Sequence, residues 1–278
     1  MSTKILITGC TGFVGKQLIK ILSSRNLEIT LIVRQGKEEQ MQSISNTIKF
    51  ITTKDLFKET QEWWIKQCKD IHTIVHLAWY VEPKLYLDSK KNLECLMGSL
   101  CLAKASVLAG VKRFIGVGTC FEYDLSKGLL SVETPLKPST LYAGTKAALF
   151  FSLLHWFNIS KTEFAWCRLF YLFGEGENTD RLVPYIRSKM KNGEVAELTS
   201  GQQVRDFLDV AVAAKKLANI ILGSQVGPIN ICSGIPITVR QFAEKIADEY
   251  GRRDLLKFNS RPDNLVDPNY ILGVPNIL

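Results

Sequence analysis

The sequence predicts an α/β fold, a doubly wound parallel sheet with a small C-terminal lobe, and three observations carry that expectation. Its strand candidates are apolar throughout rather than alternating, stretches with helical spacing separate them, and the first runs directly into a glycine-rich turn. Strands covered on both faces read as continuous apolar runs, and their alternation with helices gives βαβ units with right-handed crossovers.

Lys4–Thr8 is the first strand, and Phe13, Leu18 and Leu22 then follow helical spacing over Phe13–Leu22. A second apolar run, Ile29–Val33, ends at Arg34. Further strands are expected at Lys49–Thr52, Thr73–Ala78, Arg113–Val117, Glu163–Phe170 and Pro228–Ile231. Helices are expected near Thr60–Cys68, Asn92–Ala109, Tyr142–Ile159 and Val210–Leu222. Past Phe173 the alternation loosens, and Gly174-Glu175-Gly176-Glu177 acts as a breaker. Residues 1–171 and 206–233 are therefore assigned to the main sheet, and 172–205 with 234–278 to the second lobe.

Composition narrows the function. The 278 residues are 46% hydrophobic and 22% charged, as in an ordinary globular protein, and no apolar run reaches bilayer length. Met1–Ile7 runs straight into a strand without a signal-peptide layout, so a cytoplasmic protein without membrane attachment is expected. The seven cysteines are scattered and form no C-x-x-C pair, and His72, His76 and His155 lie mostly in apolar runs. Reduced thiols and no metal site follow. The net charge of +8 is dispersed, which disfavours nucleic acid. An anionic small ligand explains the charge equally well, and so does chance.

Gly9, Gly12 and Gly15 stand at G-x-x-G-x-x-G spacing between strand and helix, with Thr11, Phe13 and Val14 among them. Bare glycines let the backbone approach a pyrophosphate, and the helix N-terminus offers it free N–H groups. A plain tight turn is the alternative; the placement in the first βαβ unit favours a dinucleotide site.

This spacing resembles the short-chain dehydrogenase/reductase superfamily, in its extended, nucleotide-sugar branch, the NAD-dependent epimerase/dehydratase family. The resemblance spans nearly the whole chain. It is carried by Thr8–Gly15, His76-Leu77-Ala78, Thr119, Tyr142-Ala143-Gly144-Thr145-Lys146, Arg168-Leu169-Phe170 and Gln203-Val204-Arg205-Asp206-Phe207. It implies a Rossmann domain and a lobe that binds substrate, with Asp55-Leu56 beside the adenine and Leu77-Ala78 beside the adjoining ribose and phosphates.

The residue after the second strand chooses the dinucleotide: an acid suits the ribose of NAD, an arginine the 2′-phosphate of NADP. Arg34 stands there, with Lys37 behind it and no acid before Glu38. NADP is favoured and NAD stays open, since Arg34 could also be a solvated strand-end charge.

Tyr142 and Lys146 are four apart at a helix start and share a face. An ammonium beside a phenol would lower its pKa toward the poise needed for proton transfer. Spacing alone also fits a surface pair; the position after a Rossmann half favours catalysis, and the resemblance adds Lys146 as the holder of the nicotinamide ribose. Thr119 closes a strand at the carboxyl edge, where its hydroxyl can donate to a substrate carbonyl. Nucleotide-sugar 4,6-dehydratases follow this threonine with an Asp-Glu pair. Here Cys120 and Phe121 stand instead, and Glu122 would face the other way in a continuing strand, so dehydration is not expected.

For the substrate, the resemblance places Arg205 on the nucleotide diphosphate and Arg261 on a phosphate or ribose. Arg181 opens a candidate lobe helix, Arg181–Ile186. Arginine's planar fork suits phosphate oxygens, though each of the three could be a solvated charge. Trp79 either walls the sugar pocket or packs in the core. Tyr171 replaces the asparagine usual in the family. Gly118–Asp124 and the short chain resemble the nucleotide-sugar 4-ketoreductases, which act in deoxysugar biosynthesis for polysaccharides or secondary metabolites.

The leading expectation is thus an NADPH-dependent reductase of a dTDP-, CDP- or GDP-linked 4-keto-6-deoxyhexose. Its competitors are a 4-epimerase with tightly bound NAD and a dinucleotide-sensing protein without turnover. The apolar helix surface of Leu149, Phe150, Phe151, Leu153, Leu154 and Trp156 fits a homodimer, as in the family, or the core.

Overall fold

The structure, a computed structural model, describes residues 3–40, 48–264 and 268–276. Seven strands form the central sheet: β1 (Thr3–Thr8), β2 (Leu27–Arg34), β3 (Ile48–Thr53), β4 (Thr73–His76), β5 (Arg113–Thr119), β6 (Glu163–Leu169) and β7 (Gly227–Ile231). All are parallel, in the spatial order β7-β6-β5-β4-β1-β2-β3. The order reverses between β1 and β4, which opens a crevice at their carboxyl ends. The fourth strand stops at His76, earlier than its apolar run suggests, because Leu77 and Ala78 leave the ladder to line that crevice.

The helices are α1 (Phe13–Leu22), α2 (Gln61–Cys68), α3 (Lys91–Leu108), α4 (Leu141–Ser160), α5 (Leu182–Asn192), α6 (Val210–Leu222) and α7 (Val239–Asp248). Strand pleating sends alternate residues to opposite faces. Ile5 and Ile7 join Leu18, Leu22, Ala213 and Leu217 of α1 and α6, whereas Leu6 joins Trp64, Leu102, Leu149 and Phe157 of α2, α3 and α4. Both faces of the sheet are thus covered.

A separate apolar cluster joins Val183, Ile186 and Met190 of α5 to Phe242, Ala243 and Ile246 of α7. The seventh helix lies in a stretch where no element is expected from the sequence. Its start is a capping box: Thr238 accepts from the Gln241 N–H and Gln241 accepts from the Thr238 N–H. Within the stretch assigned to the lobe, Leu272–Gly273 turns back and pairs with Leu129–Leu130 on the sheet side. There Asn230 donates to the carbonyls of Leu130 and Val274.

The apolar surface of α4 is divided. Leu149, Phe150 and Leu153 are core, while Phe151 and Trp156 are exposed, beside an α3 that exposes Leu93 and Met97. Among the described residues no helix is long and apolar enough to cross a membrane, and no cluster of side chains could hold a metal ion.

Candidate functional site

A cavity of about 610 Å³ lies over the carboxyl ends of β1, β4 and β5. Its floor is the glycine turn. Gly9 has φ +75°, and a Cβ there would sit 2.6 Å from the Ala78 nitrogen. A Cβ on Gly15 would collide with the Gly9 carbonyl oxygen. Gly12 is the N-cap of α1 and offers no side-chain cap, so the helix's first N–H groups are left for a ligand. Below the turn, His76 bridges the hydroxyls of Thr8 and Ser99, each at 2.8 Å. Ser99 donates to the Cys95 carbonyl, so the ring must donate to Ser99 and accept from Thr8. Burial, reinforced by the Lys146 charge, pushes His76 down to about 3, so the link is a neutral one.

The cradle fits a dinucleotide. Gly9, Thr11, Gly12, Phe13, Val14 and Gly15 line it, and Arg34 and Lys37 stand exposed on its wall beyond β2. Leu56, Leu77 and Ala78 also line it, joined by Phe57, which sequence reasoning passed over. Asp55 is not among the lining residues. Its carboxylate accepts from the Phe57 N–H at 3.1 Å and caps the turn that carries Leu56.

Thr119, Tyr142 and Lys146 come together at the far end, all nearly buried. Thr140 caps α4 by accepting from the Ala143 N–H, which fixes the turn that carries Tyr142. The geometry corrects the expected effect of lysine on tyrosine. Lys146 Nζ donates to the Val117 carbonyl at 2.6 Å and lies over the Trp79 ring. The Tyr142 phenol is pushed up, not down: burial dominates, Tyr86 and Glu122 add to it, and a hydrogen bond with Thr119 opposes it weakly. Lys146 itself is lowered to about 7 by burial, against the pull of Glu122 and Cys95.

Glu122 also departs from expectation. The strand does not continue past Thr119; Cys120–Glu122 is a 3₁₀ turn closed by a capping box. The Glu122 carboxylate turns inward and accepts from the Thr119 N–H at 2.8 Å, from Trp166 Nε1, and from Arg168 Nε at 2.7 Å. Glu122 and Arg168 form a fully buried ion pair under the site. The T-x-x-E spacing of Thr119–Glu122 was the signal for it. Cys120 is buried with its thiol pushed up by desolvation, and Phe121 lines the cavity.

The arginines separate. Arg181, at the N-cap of α5, lines the cavity and pairs with Glu177 at 3.3 Å. Arg205 is buried with its guanidinium over the Tyr171 ring, behind the wall that Tyr171 provides. Arg261 lines a smaller cavity of about 270 Å³ in the lobe, with Tyr185 and Phe258, and donates to the Tyr185 hydroxyl at 3.1 Å. Trp79 lines the main cavity and also packs on the α3–α4 core.

The profile of the NAD dependent epimerase/dehydratase family matches residues 5–230. A dTDP-6-deoxy-L-talose 4-dehydrogenase (NAD(+)) of Aggregatibacter actinomycetemcomitans is 23% identical over 97% of this chain and 98% of its own length. CDP-abequose synthase of Salmonella muenchen is 25% identical over 90% of this chain and 81% of that protein. Among solved structures, UDP-N-acetylglucosamine 4-epimerase from Methanobrevibacter ruminantium, in complex with UDP-N-acetylmuramic acid, superposes with a TM-score of 0.87. It is 22% identical, covering 99% of this chain and 90% of that one. UDP-glucose 4-epimerase of Thermus thermophilus, in complex with NAD, superposes at 0.82 with 20% identity, covering 98% and 91%.

Proposed function

The chain belongs to the NAD dependent epimerase/dehydratase family and is an enzyme that modifies nucleotide sugars; from that premise we propose that it reduces the 4-keto group of a nucleotide-linked 4-keto-6-deoxyhexose with NADPH. The observation that carries the reading is the make-up of the cleft's inner end. Thr119, Tyr142 and Lys146 meet there, while Cys120 and Phe121 provide no acid/base pair and Glu122 is locked to Arg168. Such a site can move one proton to or from a sugar oxygen, which is all that ketone reduction requires of the protein's own side chains once the dinucleotide supplies the hydride.

The dinucleotide, when bound, supplies the hydride. Tyr142 donates the proton to the carbonyl oxygen, and the Thr119 hydroxyl steadies the charge developing there. Lys146, its ammonium over the Trp79 ring at the same end of the cleft, binds the nicotinamide ribose. Arg34 and Lys37 favour the 2′-phosphate of NADPH. Arg34→Asp should raise the KM for NADPH at least about tenfold and leave NADH less affected, as the loss of a charge-assisted contact requires. On the substrate side, we assign the diphosphate to Arg181, which lines the cleft, whereas Arg205, buried over the Tyr171 ring, supports Tyr171 from behind. The proposed enzyme is a cytoplasmic homodimer joined through the exposed faces of α3 and α4, which light scattering would check.

One observation favours a second reading. The Aggregatibacter relative carries NAD(+) in its name and oxidises at C4, the same transfer run backwards. Incubation with NADPH or NADH and a panel of dTDP-, CDP- and GDP-linked 4-keto-6-deoxyhexoses, with the corresponding alcohols and NAD(P)+, separates the two. Consumption of reduced nicotinamide by a keto sugar is expected; no change across the panel in either direction would overturn the reading.

A further inference from the structure

The buried ammonium of Lys146 has no ion-pair partner among the described residues. Its polar contact is the Val117 carbonyl, and its remaining charge faces two indoles, with Nζ 3.8 Å from the Trp79 ring centroid and 5.8 Å from that of Trp166. Trp79 is held in that pose. Its indole N–H donates to Asn92 Oδ1 at 2.8 Å, and Asn92, fully buried, donates from Nδ2 to the carbonyls of Tyr86 and Ser89. The same segment supports the other half of the pair: the Tyr142 N–H donates to the Leu87 carbonyl at 2.8 Å, and the Tyr86 ring meets the Tyr142 ring edge-on at 4.9 Å.

We infer that Trp79, seated by Asn92, is a positioning residue that stabilises the charged form of Lys146 through its ring face, an inference that rests on the proposed role of Lys146. A desolvated cation–π contact is among the stronger of its kind. It matters here because Lys146 is already lowered to about 7, where a small loss of stabilisation empties the charged form at neutral pH. The other titratable groups that feel or influence the Lys146 charge are Glu122 from the turn after β5, Cys95 from α3 and His76 from β4, while the Tyr142 phenol, one turn back on α4, lines the same cavity. Glu122 and Cys95 raise it, and His76 feels its charge.

The test titrates Lys146 directly. Carbon-labelled lysine followed by NMR, with the Lys146→Arg spectrum for assignment, gives its midpoint in the wild type, in Trp79→Phe and in Trp79→Leu. The midpoint should fall in both variants, by about one pH unit in Trp79→Leu and by less in Trp79→Phe, whose ring is a weaker π donor. The alkaline limb of turnover should move to lower pH in the same order. Should Trp79→Leu fail to fold, Trp79→Phe decides alone. An unchanged or raised midpoint in a folded variant overturns the inference. The lysine titration needs no turnover, so a wild type inert toward every keto sugar would sink the proposed reaction and still leave this measurement decisive for Trp79.

Discussion

Two buried side chains set the behaviour of the proposed site. Tyr142 is protonated throughout the physiological range because burial disfavours its anion, so it is ready to donate a proton. Tyr142→Phe should lower turnover by about 10²–10⁴-fold and leave NADPH affinity, read by fluorescence quenching, nearly unchanged. Lys146 is a site where function and stability conflict. Its folded pKa, about 7, lies below that of an ordinary lysine. The unfolded chain therefore binds the extra proton between that value and about 10.4, and stability rises with pH across the window. Lys146→Met should be inactive yet have a higher urea midpoint at neutral pH, with the gap to wild type shrinking as the pH is raised. The Tyr142/Lys146 spacing was legible in the sequence, but the direction of the tyrosine shift was not. Spacing places two groups on one helix face and says nothing of the water removed around them, nor that the ammonium would turn toward Val117 and Trp79.

The helices and turns carry the next level of organisation. The junction of β1 and α1 tolerates no Cβ at Gly15, so Gly15→Ala should abolish dinucleotide binding by calorimetry while leaving most of the fold in place. The buried Glu122–Arg168 pair closes the turn after β5. Glu122→Ala leaves the Arg168 guanidinium buried without its counter-charge, and should cost about 3–5 kcal/mol in urea denaturation. Elements with strong periodicity were legible: the sheet strands announce themselves because both faces are covered. The turn at Cys120–Glu122 was not, since a strand reading extrapolates an alternation that a capping box interrupts. Nor was the burial of Arg205, because a guanidinium resting on Tyr171 and one reaching a phosphate have the same sequence.

At the scale of the whole molecule, the cleft is walled by both cores. The sheet side supplies the glycine turn, Thr119 and Tyr142; the lobe side supplies Glu177, Asn178 and Arg181. Across the cleft, Lys84 of the loop after β4 pairs with Asp180 at 2.7 Å, an exposed contact of small energy. A nucleotide sugar bridging the walls should stabilise the protein by about 2.7 kcal/mol at a hundredfold excess over Kd, read as a rise in Tm. A nucleoside diphosphate alone should give part of that rise. The doubly wound parallel sheet followed from the sequence, because apolar strands alternating with helices give βαβ units with right-handed crossovers. The path of the last described residues did not: Leu272–Gly273 returns to Leu129–Leu130 over a separation in sequence that no local pattern reports.

The sheet order also has a consequence for how the chain is made. The partner of β6 along its outer edge is β7, which arrives only after the chain has built α5 and α6. At typical synthesis rates the delay of about 60 residues lasts roughly 3–12 s. During that time the edge of β6, with Phe164, Ala165, Trp166 and Cys167 all destined for the interior, is an open template for another chain. Nascent chains halted before Gly227 should aggregate, and those that include Ile231 should not.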